Sequence, residues 1–145
     1  MSAARRLLEE LCDHLKLAAP PAADEGECVI GIDYGDELVV FVSADEAELM
    51  LYSRVGVLGS DQTELLEQLF DANLLWQGTG AATLAFERYS RAVILQQRMG
   101  AQAQTVQDLE QQLKAFADEA ERWSQAIVSA AAAPSEAAPA FITPA

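Results

Sequence analysis

The chain has 145 residues, 23 acidic against 9 basic side chains, and a formal net charge of −14. That length sets one domain with enough chain to bury a core without disulfides or metal, and with 51% apolar residues the sequence folds despite its charge. The acidity excludes the basic footprint that nucleic acid requires and disfavours anionic membrane surfaces.

Residues Ala3 to Leu17 read as a helix in which Leu7, Leu8, Leu11 and Leu15 form one apolar stripe, stopped by Pro20 and Pro21. Glu9, Glu10 and Asp13 interrupt this segment, so it is not the apolar run of a signal peptide. No window approaches the ~20 apolar residues of a membrane span. The expected location is the cytoplasm, without membrane insertion. After a polar turn from Asp24 to Glu27, strands are expected from Cys28 to Asp33, from Glu37 to Ser43 across a Tyr34-Gly35-Asp36 hairpin, and from Ala47 to Val57. Their alternation is imperfect. Leu38, Val40 and Val42 face one way and Val39 and Phe41 the other; Leu49, Leu51 and Val55 are likewise opposed by Met50 and Tyr52. A sheet with one wet face alternates cleanly, so the second face calls for a cover: a helix of the same chain, a second subunit or a ligand chain.

A second helix is expected from near Asp61 through Trp76. Asp61 and Glu64 have capping-box spacing, Ser60 is an alternative cap, and Leu65, Leu69, Ala72 and Trp76 form a stripe widened by Leu66, Phe70 and Leu74. Gly78-Thr79-Gly80 turns the chain into strands from Ala82 to Arg88 and from Ala92 to Met99, joined by Tyr89-Ser90-Arg91. The last helix begins near Thr105, with Asp108 as partner to the cap. Val106, Leu109, Leu113, Phe116, Ala120, Trp123 and Ile127 repeat at spacings of three and four. That seam is about three heptads long, short for a free coiled coil and suited to a helix lying lengthwise on a sheet. From Ser129 the chain is Ala- and Pro-rich, an expected mobile tail whose Phe141-Ile142 pair is its apolar feature. The expected organisation is a domain over residues 1–128 with a tail over 129–145. Its order is α-β-β-β-α-β-β-α, an α+β fold with a mainly antiparallel twisted sheet and flanking helices.

No chemistry emerges from this pattern. Cys12 and Cys28, 16 residues apart, lack metal spacing and read as reduced buried thiols. His14 stands two residues from Cys12 on a helix, where the two point to different sides. The Gly78-Thr79-Gly80 turn follows a helix and precedes a strand, the reverse of a phosphate-binding loop, and has no lysine beside it. Asp61 and the Asp45-Glu46 pair read as caps or solvated turns, and the charges from Asp118 to Glu121 as a wet helix face. The expectation is a protein without catalytic residues, metal or cofactor, and not an enzyme; a small α+β enzyme or ligand binder would need a convergent polar pocket that these residues do not assemble.

Four segments carry a family likeness. LLEELCDHLKL (Leu7 to Leu17) and DEGECVIGID (Asp24 to Asp33) resemble a first helix and the turn into a first strand. LLEQLFDANLLWQGTGAATLAF (Leu65 to Phe86) carries an AN-x-LW segment followed by a Gly-rich turn, and AFADEAERW (Ala115 to Trp123) a terminal helix. Together they resemble the type III secretion chaperones of the CesT/SycE-like class over about residues 5 to 128. The resemblance implies a small acidic homodimer in the bacterial cytoplasm. It would bind the N-terminal, non-globular segment of a secreted effector or translocator and keep it soluble and export-competent, with no cofactor. A regulatory module of the same fold, sequestering a transcriptional regulator, would use the same grooves, and the export apparatus is a further partner the likeness suggests. The expected client surface comprises Val39, Phe41, Met50 and Tyr52 with Leu8, Leu11 and Leu15 of the first helix, unless helices of the same chain cover that face. The expected dimer interface comprises Leu66, Phe70, Leu74, Trp76 and Leu84, with Trp76 open between core packing and dimer contact.

Overall fold

The computed structural model describes residues 2–18, 28–35, 37–102 and 104–132. Pro20, Pro21, the turn from Asp24 to Glu27, Asp36 and the Phe141-Ile142 end of the tail lie outside the described residues. Helix α1 (Ala3–Leu15) is followed by strands β1 (Cys28–Asp33), β2 (Val39–Ala44) and β3 (Glu48–Val57). Helix α2 (Thr63–Ala72), a 3-10 turn (Leu74–Trp76), strands β4 (Thr83–Phe86) and β5 (Ala92–Gly100), and helix α3 (Val106–Ala132) complete it. This is the expected α+β order. The strands form one antiparallel sheet in the order β1-β2-β3-β5-β4. The longest strand, β3, is central, and the four-residue β4 forms an edge.

Both long helices use one face of this sheet. Val40 and Val42 of β2, Leu49 and Leu51 of β3 and Leu95 of β5 are buried in one cluster with Leu8 and Leu11 of α1 and Leu109, Phe116 and Trp123 of α3. The three-four spacing of α3 thus seats the helix lengthwise on β3, where alternate strand residues give it a continuous apolar track. Its start is the expected capping box: Thr105 N donates to Asp108 Oδ2 at 3.0 Å and Asp108 N to Thr105 Oγ1 at 3.1 Å. Gln97, polar on this buried face, is satisfied by a 2.7 Å bond to Gln112 of α3.

The ends of five elements differ from the sequence expectation by two residues or more, α3 among them, which runs to Ala132 through the first four residues of the tail expected from Ser129. Helix α1 stops at Lys16, which turns left-handed (φ 58°) and closes a Schellman motif, with Lys16 N bonded to Asp13 O and Leu17 N to Cys12 O. Strand β2 begins at Val39 because Glu37, also left-handed (φ 66°), cannot lie in a pleat. Neither Ser60 nor Asp61 caps α2. Gln62 holds the cap position, and its side chain instead accepts from Gly59 N at 2.6 Å. The helix does not run through to Trp76: it ends at Ala72, and Leu75 and Trp76 are left-handed (φ 51° and 57°). Strand β4 ends at Phe86 because Glu87 folds back onto the hairpin that follows.

A register shift between Arg54 and Gly56 bulges β3 beneath the end of α3. A Cβ added at Gly56 would lie 2.7 Å from Ile127 Cγ2. Gly56→Ala is therefore expected to lower stability by about 1–3 kcal/mol through overpacking. Adding Ile127→Val should recover part of the loss in chemical denaturation; equal losses with and without the second change would contradict this packing.

Candidate functional site

The sheet face opposite α1 and α3 carries the outward residues of β1, β2 and β3. Alternation places Val29, Gly31 and Asp33 of β1 beside Val39, Phe41 and Ser43 of β2, and Met50, Tyr52 and Arg54 of β3 next to those. Val29, Phe41 and Met50 are each 37% exposed, while Val39 and Tyr52 are half-buried. Phe41 and Tyr52 sit directly opposite across β2 and β3, and their rings stack with centroids 5.3 Å apart and planes 19° apart. Gly31 lies opposite Phe41 on the edge strand, and a Cβ there would touch Phe41 Cε1 and Val39 Cγ1 at 3.4 Å, about van der Waals contact. Arg98 of β5 reaches across to pair with Glu48, which bounds this apolar field with charge.

Four of the seven expected client residues, Val39, Phe41, Met50 and Tyr52, therefore share one face, which no helix among the described residues covers. The first helix does not join them. Leu8 and Leu11 are 0% exposed in the core on the other side of the sheet, so neither is available to a client. Their stripe is apolar because it faces α3 and β2. Leu15 is half-buried and lines a separate groove of about 420 Å³ with Tyr34, Leu113 and Ala117. Burial pushes the Tyr34 hydroxyl above its usual pKa, with Glu110 and Asp118 adding to the effect. His14 faces this region too and bonds to Glu110 at 2.7 Å, which joins α1 to α3.

A second apolar surface lies at the β4 edge. Phe70 of α2 is 80% exposed, Leu75 74%, and Leu74 and Trp76 are 57% exposed each. Beside them, Leu66, Leu69, Phe70, Leu84, Phe86 and Val93 line a groove of about 360 Å³ between α2 and β4. Leu84 is buried and serves as a wall of this groove instead of an exposed contact; Leu66 is half-buried. Trp76 lies outside the core, which decides the open question of its burial within the chain. Contiguous exposed apolar side chains of this size mark an interaction surface. The turn that presents them is held from behind: Gly78 N bonds to Ala72 O, and Gly78 O accepts from Trp123 Nε1 at 3.1 Å and from Arg122 of α3. Gly78 has no room for a side chain, since a Cβ would sit 2.9 Å from Ala72 Cβ, and Gly80 is glycine for its positive φ of 64°. No group of metal-ligating side chains converges, and no helix is long and apolar enough to cross a membrane, among the described residues.

The structure thus presents two apolar surfaces, one on the open sheet face and one at the α2–β4 edge. Residues 6–124 match the Tir chaperone protein (CesT) family. The chain belongs to that family. No curated protein sequence matches it. Among solved structures, the fold of this CesT-family chaperone is similar to the ExsC–ExsE complex, with a TM-score of 0.69 at 21% identity over 88% of this chain and 97% of the other. It is also similar to the HopA1–SchA chaperone–effector complex (0.66, 15% identity, 86% and 94%). A third is the Yersinia pestis type III secretion chaperone SycH in complex with a stable fragment of YscM2 (0.62, 20% identity, 84% and 99%).

Sequence reasoning missed Val29, Gly31 and Leu75 on these surfaces of the CesT-family chaperone. The alternation of Cys28, Ile30 and Ile32 against Val29 and Gly31 carried the first two; a continuous helix through Trp76 concealed the third. At the end of β4, Glu87 accepts from Tyr89 N at 3.0 Å and from Ser90 N at 2.6 Å, and pairs with the Ser90 hydroxyl. The Ser90 hydroxyl, then the Ser90 and Tyr89 N–H groups, hold this carboxyl below its ordinary value of 4.5. A depressed folded-state value means that the stabilisation is present above the ordinary value and is lost as pH falls through the lower one. Ser90→Ala should raise the Glu87 midpoint toward the ordinary value in carboxyl-carbon NMR titration; a midpoint that does not move would contradict the assignment.

Proposed function

We propose that this chain acts as a cytoplasmic type III secretion chaperone. As a homodimer it binds the N-terminal, non-globular segment of a secreted effector or translocator and keeps it soluble and export-competent. The observation that carries this reading is the open face around Phe41 and Tyr52, apolar although no helix among the described residues covers it, in a chain of the CesT family. The related HopA1–SchA structure is a chaperone–effector complex, and SycH is seen with a YscM2 fragment. A segment without its own core orders on binding and gains most from a broad apolar surface of this kind. The work is binding, and no catalytic step is assigned. The net charge of −14 offsets the tendency of two sticky surfaces to aggregate.

The second surface is assigned to the second copy. Removing an exposed Phe, Leu or Trp from water is worth about 1.5–3 kcal/mol, and a two-fold interface counts each such side chain twice. Leu66, Phe70, Leu74 and Trp76, with Leu84 behind them, form the proposed contact, and Leu75 joins them.

Two paired substitutions separate the surfaces. Phe41→Asp with Tyr52→Asp should abolish co-purification of a secreted client while light scattering still reports a dimer; a variant that retains its client would sink the assignment of that face. Leu66→Asp with Phe70→Asp should yield a folded monomer, and a persistent dimer would place the interface elsewhere. For the function as a whole, a tagged chain recovered from its bacterium should carry a secreted protein that is released when that protein's N-terminal segment is deleted. Recovery of a transcriptional regulator bound to the same face would favour the regulatory module.

A further inference from the structure

Asn73 sits between α2 and the 3-10 turn, and its side chain is used as a piece of strand. Its Oδ1 accepts from Leu84 N and its Nδ2 donates to Leu84 O, both at 2.8 Å. Flipping the amide would set donor against donor and acceptor against acceptor, so the pairing defines its orientation. Strand β4 is the sheet's edge, paired on its other side to β5 with Leu84 opposite Leu95. A donor and an acceptor offered together to one edge residue reproduce the two bonds that a neighbouring antiparallel strand residue would exchange with it. An unpaired edge is a template for another chain, and Asn73 occupies that template at Leu84.

The same residue anchors the turn that follows it. Leu75 and Trp76 are left-handed, a conformation unfavourable for residues with side chains and maintained only where surrounding bonds over-determine it. Those bonds start from Asn73: its side chain is pinned to β4, its carbonyl accepts from Trp76 N at 3.0 Å, and Ala72 O next to it takes Gly78 N at 2.9 Å. The outcome is three consecutive apolar side chains, Leu74, Leu75 and Trp76, held outward beside Phe70.

We propose that Asn73 is the positioning residue of the subunit contact: its amide closes the β4 edge at Leu84 and holds the left-handed Leu75–Trp76 turn, so that a second copy of this chain docks through side chains and not by strand pairing at β4. This rests on the dimer reading above. The partner is a second copy because the exposed Phe70, Leu74, Leu75 and Trp76 adjoin the α2–β4 groove, whose lining holds no charged side chain, so two copies of an acidic chain can meet there without opposing like charges.

The test uses the full-length chain with Asn73→Ala and with Asn73→Asp, which keeps the acceptor, loses the donor and sets a carboxylate against Leu84 O. Amide exchange of Leu84, Leu51 and Leu95 is read by NMR, and the dimer dissociation constant by sedimentation. Asn73→Ala should speed Leu84 exchange, and both variants should weaken the dimer by about tenfold or more, the scale of one lost hydrogen bond, while Leu51 and Leu95 stay protected. Thr105→Ala, a comparable loss of stability at the α3 cap, should leave the dimer constant unchanged. A wild-type dimer with variants that dimerise equally tightly would overturn the positioning role alone. A monomeric wild type would overturn the dimer reading and this role with it. Should Asn73→Ala lose protection at Leu51 and Leu95, Asn73→Asp decides, and global loss in both would make Asn73 a general fold residue and overturn the proposal.

Discussion

The contact between α3 and the inner face of the sheet is the constraint on which the other features rest. Leu109, Leu113, Phe116, Ala120, Trp123 and Ile127 lie along β3, and α1 fills the adjoining space over β2 with Leu7, Leu8 and Leu11. The strands are apolar on both faces, yet both long helices occupy one of them. The apolar field of Val29, Phe41 and Met50 is what that one-sided packing leaves over. Its exposure costs solubility, and the acidic surface compensates.

The two apolar surfaces differ in shape and in support. The open sheet face is broad and regular, with stacked aromatics at its centre and an Arg98–Glu48 pair at its margin, which suits an extended or helical segment of another protein. The surface at β4 is a compact knuckle of consecutive side chains beside a groove. The first draws its residues from β1, β2 and β3, the second from α2, the 3-10 turn and β4 at the opposite edge. The two surfaces are therefore separated along the sheet.

One backbone oxygen joins these parts. Gly78 O receives Trp123 Nε1 and the Arg122 guanidinium, so the end of the α3 seam that buries Trp123 also braces the turn that exposes Trp76. The two tryptophans thus lie on opposite sides of one arrangement, Trp123 buried behind the turn and Trp76 exposed in front of it. Asn73 completes the brace from the β4 side.

Element order, the lengthwise seat of α3, the capping box at Thr105 and Asp108, and the doubly apolar character of β2 and β3 are legible in the residues alone. All of these follow from local periodicity and from short-range hydrogen bonds, which adjacent residues encode directly. Which apolar stripe is buried depends on long-range packing. Leu8 and Leu11 look as accessible in sequence as Phe41 and Met50, but a stripe is hidden or free according to the element packed against it, and that partner lies far away along the chain. The break after Ala72 has the same origin: Leu74, Leu75 and Trp76 read as a continuing helix, and it is the pairing of Asn73 with Leu84, 11 residues on, that ends it.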